Sequence, residues 1–375
     1  MAGIYIHIPF CKRRCIYCDF FSTTQSERIN DFISSLCNEL ELRKKYLDNE
    51  FVHTIYFGGG TPSQLKEEHF IKIFHTINRL YTVVPDAEIT IEVNPDDINK
   101  TYVSMLQKFP FNRISMGIQT FDDETLKLLK RRHDSKQAIS AFHILRDAGY
   151  DNISLDLMYG LPGETMNRWK SDLETIIQLR PEHISAYHLI YEENTELWML
   201  REKHKVEEAN EDLSVSMFSL LIEQLQNAGY EHYEISNFAL PNLYSRHNSS
   251  YWKGIKYIGC GPSAHSYNIK SRQWNISSLD KYISCINNNE SYYETEELDT
   301  PTRYNDFVLT SIRTKWGMDL ENLKSLFGDK YYSYAIKMAA PHIAEETLER
   351  NGNIIRLTKK GIFISDGIMS DMMWV

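Results

Sequence analysis

Six short β-rich runs recur through the first two-thirds of the chain: Tyr5 to Ile8, Val52 to Phe57, Glu88 to Val93, Arg113 to Gln119, Asn152 to Met158 and His183 to Ile190. They end in Gly, Pro or Asn, and helical patterns fill the spaces between them: Asp31 to Tyr46, Gln64 to Leu80, Glu124 to Arg131, Lys136 to Ala148 and Arg168 to Leu179. A repeated βα order restricts the chain to an α/β fold built on a parallel sheet or barrel.

The strands also say which face is covered. In EITIEVN, Ile89, Ile91 and Val93 alternate with Thr90, Glu92 and Asn94; RISMGIQ and NISLDLM repeat the pattern, with Gln119 and Asp156 on the polar side. Side chains alternate across a strand with period two. A sheet covered by helices on both faces would be apolar on both. Here one face is polar near the strand C-terminal ends, where βα-barrel sites lie. The expectation is a partly open barrel with a polar cavity at its top; a solvent-facing edge sheet would show the same alternation.

Into the loop after the first strand the chain places Cys11, Cys15 and Cys18, half of its six cysteines, in CKRRCIYCDFF. The N-terminus lacks the basic-then-apolar order of a signal peptide. A cytoplasmic protein is therefore expected, and there clustered cysteines point to metal or catalysis rather than disulfides. The net charge of -10 lowers the expectation of nucleic-acid binding, and no apolar run is long enough to span a membrane. Thiolates bind zinc or iron–sulfur clusters, and Lys12, Arg13 and Arg14 would favour the thiolate form. Zinc in a structural site takes four ligands, with His7 as the candidate fourth. A [4Fe–4S] cluster on three cysteines would instead leave one iron open. Gly58, Gly59, Gly60, Thr61 and Pro62 close the second strand, and a glycine run lets backbone approach a ligand.

The order YIHIPFCKRRCIYCDF, YFGGGTPS, IEVNP, MGIQTF, LKRRH and SLDLMYGLPGET closely resembles the radical S-adenosylmethionine (SAM) superfamily, in its coproporphyrinogen III dehydrogenase-like branch, over nearly the whole chain. The resemblance implies a partial (β/α)6 TIM-like barrel. It implies that Cys11, Cys15 and Cys18 hold a [4Fe–4S] cluster whose open iron chelates the methionine part of SAM. Gly59, Gly60 and Thr61 would meet the methionine amino group, and Arg131 the methionine carboxylate. Glu92, Gln119 and Asp156 would meet the ribose, and Tyr5 and Tyr17 would flank the cluster and adenine. On residues alone, Arg131 could instead compensate a helix dipole.

That branch holds oxygen-independent coproporphyrinogen III dehydrogenases and HemW-type heme chaperones. The dehydrogenases carry a further cysteine two places after the third; this chain has CDF. They also carry an N-terminal extension, whereas the first strand here starts at about Tyr5. RHNSSYW, with His247, Asn248, Tyr251 and Trp252, matches the chaperones' HNxxYW. Histidine is a common heme ligand and Tyr and Trp offer flat faces to a porphyrin. His247 is the expected ligand, with His265 a second candidate; Cys260 reads as a packed residue. The leading expectation is a heme-binding chaperone using a [4Fe–4S] cluster, SAM and heme. The alternative is the dehydrogenase, a SAM-dependent oxidoreductase. Partners implied are heme and heme-accepting proteins, membrane respiratory enzymes among them, reached from the cytoplasm at the inner membrane; a homodimer is also implied.

From about Phe238 the rhythm changes. The expected division is 1–235 for the barrel, 236–300 for an aromatic connecting segment bearing the heme motif, and 301–375 for a mainly helical, winged-helix-like domain. In the last, IIRLTKKGIFIS reads as two strands around Lys359, Lys360 and Gly361.

Overall fold

The computed structural model describes residues 1–375. Six βα units open the chain. They are β1 (Ala2–Ile8) with α1 (Ile29–Leu42), β2 (Val52–Gly59) with α2 (Glu67–Leu80), and β3 (Val83–Val93) with α3 (Lys100–Leu106). Next come β4 (Arg113–Gln119) with α4 (Asp123–Leu128) and α5 (Ser135–Asp147), and β5 (Ile153–Tyr159) with α6 (Met166–Leu179). The last is β6 (His183–His188), followed by α7 (Glu196–Glu202) and α8 (Glu211–Asn227). The helices start at good caps: Asp134 and Gln137 form a capping box on α5, and the Thr165 hydroxyl accepts from the Arg168 N–H on α6.

β1 to β6 pair in chain order, all parallel. β1 and β6 do not pair with each other, so the units stay open as the partial barrel the alternation predicts. Ile4, Ile6 and Ile8, then Ile89, Ile91 and Val93, then Ile114, Met116 and Ile118 are buried in the main apolar core. The other face carries Tyr5, His7, Thr54, Tyr56, Glu92, Ser115 and Asp156. One face seals against helices and the other lines the interior.

Residues 236–300 differ from the connector expected. β7 (Glu231–Glu234) and β8 (Asn237–Ala239) form a hairpin against β6, so position 235 falls inside a paired unit. The short helix α9 (Arg246–Trp252) follows. β9 (Lys256–Cys260) then lies parallel beside β1, on its free side. β10 (His265–Tyr267), β11 (Ser271–Asn275), the helix α10 (Leu279–Asn288) and β12 (Tyr293–Glu297) complete a sheet of order β12-β11-β10-β9-β1-β2-β3-β4-β5-β6-β8-β7. Ile258, Cys260, Tyr282 and Tyr292 belong to the same core as the barrel strands. These strands run three to five residues, too short for alternation to show, and their neighbours hold them in place.

Helix α1 pins this extension. The buried Glu39 carboxylate accepts from the Gly261 N–H at 2.7 Å, the Asn275 amide at 2.8 Å and the Tyr282 hydroxyl at 2.5 Å. Arg43, one turn on, pairs with Glu39 at 3.2 Å and donates to Gly259 O, Ser266 Oγ and Gln273 Oε1. A buried charge pair is tolerable only when its remaining valences are met this way.

A second core gathers Tyr304, Val308, Leu323, Ile355 and Met369 among others. It lies between α11 (Thr300–Ile312), α12 (Leu320–Ala344, broken at Gly328 with φ 83°) and α13 (Ser365–Met372). The small sheet β13-β15-β14 covers it: β13 (Met318–Asp319), β14 (Leu348–Asn351) and β15 (Ile354–Leu357). The hairpin turns at Gly352 (φ 60°), not at Lys359–Gly361. A Cβ on Gly361 would lie 1.9 Å from the Thr347 carbonyl oxygen, so that glycine serves a close crossing, and Gly361–Ile364 is helical. No helix is long and apolar enough to cross a membrane.

Gly259 makes the tightest approach in the sheet extension: a Cβ there would sit 2.1 Å from the His265 carbonyl oxygen. Gly259→Ala should cost about 2 kcal/mol or more, the upper range for overpacking. Urea denaturation checks this, and stability equal to wild type would contradict the β9–β10 corner.

Candidate functional site

The cysteine loop leaves β1 and is stitched to the barrel mouth. The Cys11 N–H donates to Thr23 O, the Thr23 N–H to Pro9 O, and the Ile16 N–H to Leu129 O. Cys11 Sγ lies 3.3 Å from Thr61 Oγ1, and Arg131 Nη1 donates to Cys15 Sγ at 3.5 Å. Tyr17 stands beside Cys15, Cys18 and Arg131. All three thiols are half-buried and unpaired. Burial pushes the Cys11 thiol up, and pushes Cys18 up to about 11. The Lys-Arg-Arg triplet does not lower them as expected: Lys12 pairs with Asp97 at 2.8 Å, Arg13 is exposed, and Arg14 reaches only the Cys18 carbonyl. The cations that do face the thiols are Arg131 and Arg132.

The donor set can be tested against the metals. No three Cys, His, Asp or Glu side chains converge as ligands of one metal ion. His7 is not the fourth zinc donor, because Nδ1 meets the Tyr5 hydroxyl at 3.1 Å and Nε2 meets Phe21 O at 2.9 Å. Four convergent ligands make a closed zinc site, and they are missing. A [4Fe–4S] cluster puts each thiolate on a different iron, so three neighbouring but separate thiols fit it.

Behind the loop, the polar face assembles the other expected residues. Glu92 accepts from the Tyr56 hydroxyl at 2.8 Å and the Gly59 N–H at 3.2 Å. Burial, then the nearby Asp156, raises its pKa to about 7. Burial likewise raises Asp156 to about 6, with Arg113 opposing the shift. Arg113 is 1% exposed and its Nε has no partner. The sequence reading missed both Arg113 and Tyr56, though each sits at a polar-face position of its strand. Arg131 is half-buried and donates to Asn94 Oδ1 at 2.9 Å and to Gly117 O. It therefore faces the site rather than the end of α4, and the dipole reading does not apply. Gln119 ends β4 at φ 76°, past a bulge, a conformation a non-glycine residue holds only when its surroundings impose it.

The glycine loop needs its glycines for packing. A Cβ on Gly59 (φ 106°) would lie 2.6 Å from the His7 ring, and one on Gly60 2.8 Å from the Pro9 carbonyl carbon. The ends of β1 and β2 thus approach too closely for side chains. Thr61 is buried, held by Asn94 Nδ2 at 3.1 Å and facing Cys11.

The HNxxYW stretch departs most from expectation. It is helix α9, whose first N–H groups are capped by Ser245 and by Glu88, a residue of β3. His247 is 1% exposed and stacks on Tyr56 at 5.1 Å. Its Nδ1 bonds Thr54 Oγ1 at 2.8 Å and its Nε2 bonds the Tyr251 hydroxyl at 2.8 Å. Both ring nitrogens are thus hydrogen-bonded, and His247 packs into the floor of the barrel. The Asn248 N–H bonds the Ser245 cap. Tyr251 and Trp252 also line a cavity of about 1060 Å³. Tyr5, Phe20 and Phe21 wall it from the barrel side, His265 and Tyr267 from the sheet extension, and Phe307, Trp316 and Phe327 from the C-terminal unit. The buried Trp252 Nε1–H has no partner, and the Arg313 guanidinium lies 4.2 Å over its ring.

An open parallel sheet with a three-thiol loop after β1 and carboxylates at strand ends defines a protein of radical SAM type. The family model for the radical SAM superfamily matches residues 5–176, and that for the HemN C-terminal domain matches residues 298–364. The heme chaperone HemW of Bacillus subtilis is 34% identical over 88% of this chain and 87% of its own, and that of Lactococcus lactis 30% over 98% and 96%. The chain belongs to the HemW family of radical SAM proteins. Coproporphyrinogen III oxidase (HemN) of Escherichia coli has the same fold, with a TM-score of 0.86 over 99% of this chain and 90% of its own at 22% identity. Membership implies a [4Fe–4S] cluster and SAM.

The buried carboxylates set a pH dependence. With raised pKa values, Glu92 and Asp156 keep protons in the fold that the unfolded chain has already lost. Their contribution to stability is therefore full below the ordinary carboxylate range and is lost as pH rises to about 7. The ligand-free double variant Glu92→Gln/Asp156→Asn should gain on wild type in denaturation at about pH 8 and lose that advantage at about pH 4. An advantage that grows with acidification would contradict the arrangement.

Proposed function

We propose that this chain is a heme chaperone, binding heme and passing it to acceptor proteins from a radical SAM scaffold. The observation that carries the reading is the aromatic cavity, which shares Phe20 and Phe21 with the cysteine loop. A cavity at the upper end of ligand-pocket sizes suits a large flat ligand, and the relatives named heme chaperones match the chain along most of its length.

In this reading Cys11, Cys15 and Cys18 hold the cluster, which with bound SAM supplies a redox-active centre. Around it Arg131 neutralises the methionine carboxylate and steadies Cys15. Glu92, Asp156 and Gln119 take the ribose hydroxyls, as strand-end carboxylates do in dinucleotide sites. Tyr17 packs against the cluster loop. Gly59 and Gly60 keep the strand ends close enough for Thr61 to face Cys11, and Tyr5 sits where cofactor and cavity meet. The cluster loop being a wall of the cavity supports a gating role for cluster and SAM in heme transfer or dimerisation. The acceptors of the reading are membrane respiratory enzymes, met by a cytoplasmic protein at the inner membrane.

The dehydrogenase alternative draws only on a fold that both sorts of protein share. Anaerobically reconstituted protein should be brown, and Cys11→Ser, Cys15→Ser or Cys18→Ser colourless. It should bind one heme saturably by the Soret band and yield no protoporphyrinogen from coproporphyrinogen III with SAM and a low-potential reductant. Turnover without saturable heme binding would reverse the reading.

A further inference from the structure

We propose that Arg113 is a positioning residue of the cofactor site: from the floor of the barrel its guanidinium supplies the counter-charge to Glu92 and Asp156 and so fixes them as acceptors for the ribose hydroxyls of SAM. This rests on the ribose reading of those two carboxylates given above.

Arg113 is 1% exposed, yet its Nε meets no partner. A guanidinium buried this way is costly unless an opposite charge answers it. The strand register shows which charges do. Arg113 opens β4 on the polar face, opposite Thr90, whose Oγ1 is unpartnered too. Ser115, the next polar-face position, lies opposite Glu92, and Gly117, the one after, lies opposite Asp156. Such positions are about 6.6 Å apart along a strand, within the span of an arginine side chain. The two carboxylates are half-buried, and the sealed charge lies on their floor side.

The other charged or titratable groups of the interior are either engaged or neutral. Glu88 accepts from the Arg246 and His247 N–H groups, and Glu234 is paired with Arg313. Arg131 also faces Asp156, but it donates to Asn94, Gly117 and Cys15. His183 bonds Ser154 and Tyr233 through its two nitrogens, His247 bonds Thr54 and Tyr251, and burial lowers the pKa of both rings. Burial raises the phenols of Tyr5, Tyr56, Tyr187, Tyr233 and Tyr251, which stay uncharged. Arg113 is therefore the positive charge of the floor, and arginine keeps that charge at every working pH.

Ionisation matters because of what the carboxylates must accept. Glu92 uses Oε1 on the Tyr56 hydroxyl and Oε2 on the Gly59 N–H. An ionised carboxylate offers about four lone-pair sites, so each oxygen keeps one for a ribose hydroxyl. A proton would turn one oxygen into a donor. Even with Arg113 in place burial raises Glu92 to about 7 and Asp156 to about 6, so the pair without it would hold protons at neutral pH. Since the carboxylates bond other partners, Arg113 acts through its charge and not through its fork of donors.

The test is anaerobic calorimetry of SAM binding to the reconstituted full-length chain across pH, for wild type, Arg113→Met, Arg113→Lys and Glu92→Gln/Asp156→Asn, with urea denaturation of each. Arg113→Met should weaken binding about tenfold at about pH 7, and the deficit should close by about pH 9, where both carboxylates ionise unaided. Arg113→Lys, which keeps the charge, should restore most of the binding. A deficit equal at every pH, or none at all, would overturn the role of Arg113 and leave the ribose reading standing. Unchanged binding in Glu92→Gln/Asp156→Asn would overturn both. Should Arg113→Met not fold alone, the triple variant Arg113→Met/Glu92→Gln/Asp156→Asn decides: no charges remain to be balanced, so it should fold, and failure there too would overturn the pairing.

Discussion

Burying ionisable groups on the inner face of a parallel sheet costs free energy unless each finds a partner, and this architecture is organised around that cost. The outer face is an ordinary apolar seal. Inside, Glu92 is met by Tyr56 and a backbone N–H, Asp156 faces Arg113, and Arg131 spans Asn94, Gly117 and Cys15. The floor is closed by a helix whose His247 fills both of its own valences and whose first turn is capped from β3. Without α9, Thr54, Tyr56 and Glu88 would each lose a neighbour at once.

The parallel strands were legible because β-rich runs alternate with helical patterns and three of them keep a two-residue alternation with an apolar half; for Arg113–Gln119 even the ends agree. The cysteine loop was legible from spacing alone. Less visible was everything that depends on long-range pairing. KYIGC and HSY have no period of their own and are strands only because β1 leaves an edge for β9. Arg113 looks like the first residue of a strand and proves to be a buried charge between two acids. The motif marks His247 as a ligand candidate but does not show its hydrogen bonds to Thr54 and Tyr251, which depend on the packing of a helix against a distant strand. The basic triplet beside Cys11 failed for a related reason, since adjacency in the chain does not fix where long side chains point.

The same feature relates the two halves of the site. Glu92 binds the Tyr56 hydroxyl, the Tyr56 ring stacks on His247, His247 bonds Tyr251, and Tyr251 lines the cavity. The Cys18–Asp19–Phe20 segment provides a shorter second link, because Asp19 and Phe20 line the cavity directly beside a cluster cysteine. A ligand that reorders the loop changes a cavity wall without any movement of the sheet.

The position of β9 beside β1 has a consequence for synthesis. The first strand of the chain waits for residues 256–260 before its second edge is paired, and those residues leave the ribosome last among the strands that touch it. Such distant pairing is slow to form, and an open strand edge is a site of misassociation in the meantime. The cysteine loop hangs from that same strand. The edge of the strand that carries the loop is therefore completed only when two-thirds of the polypeptide has been made.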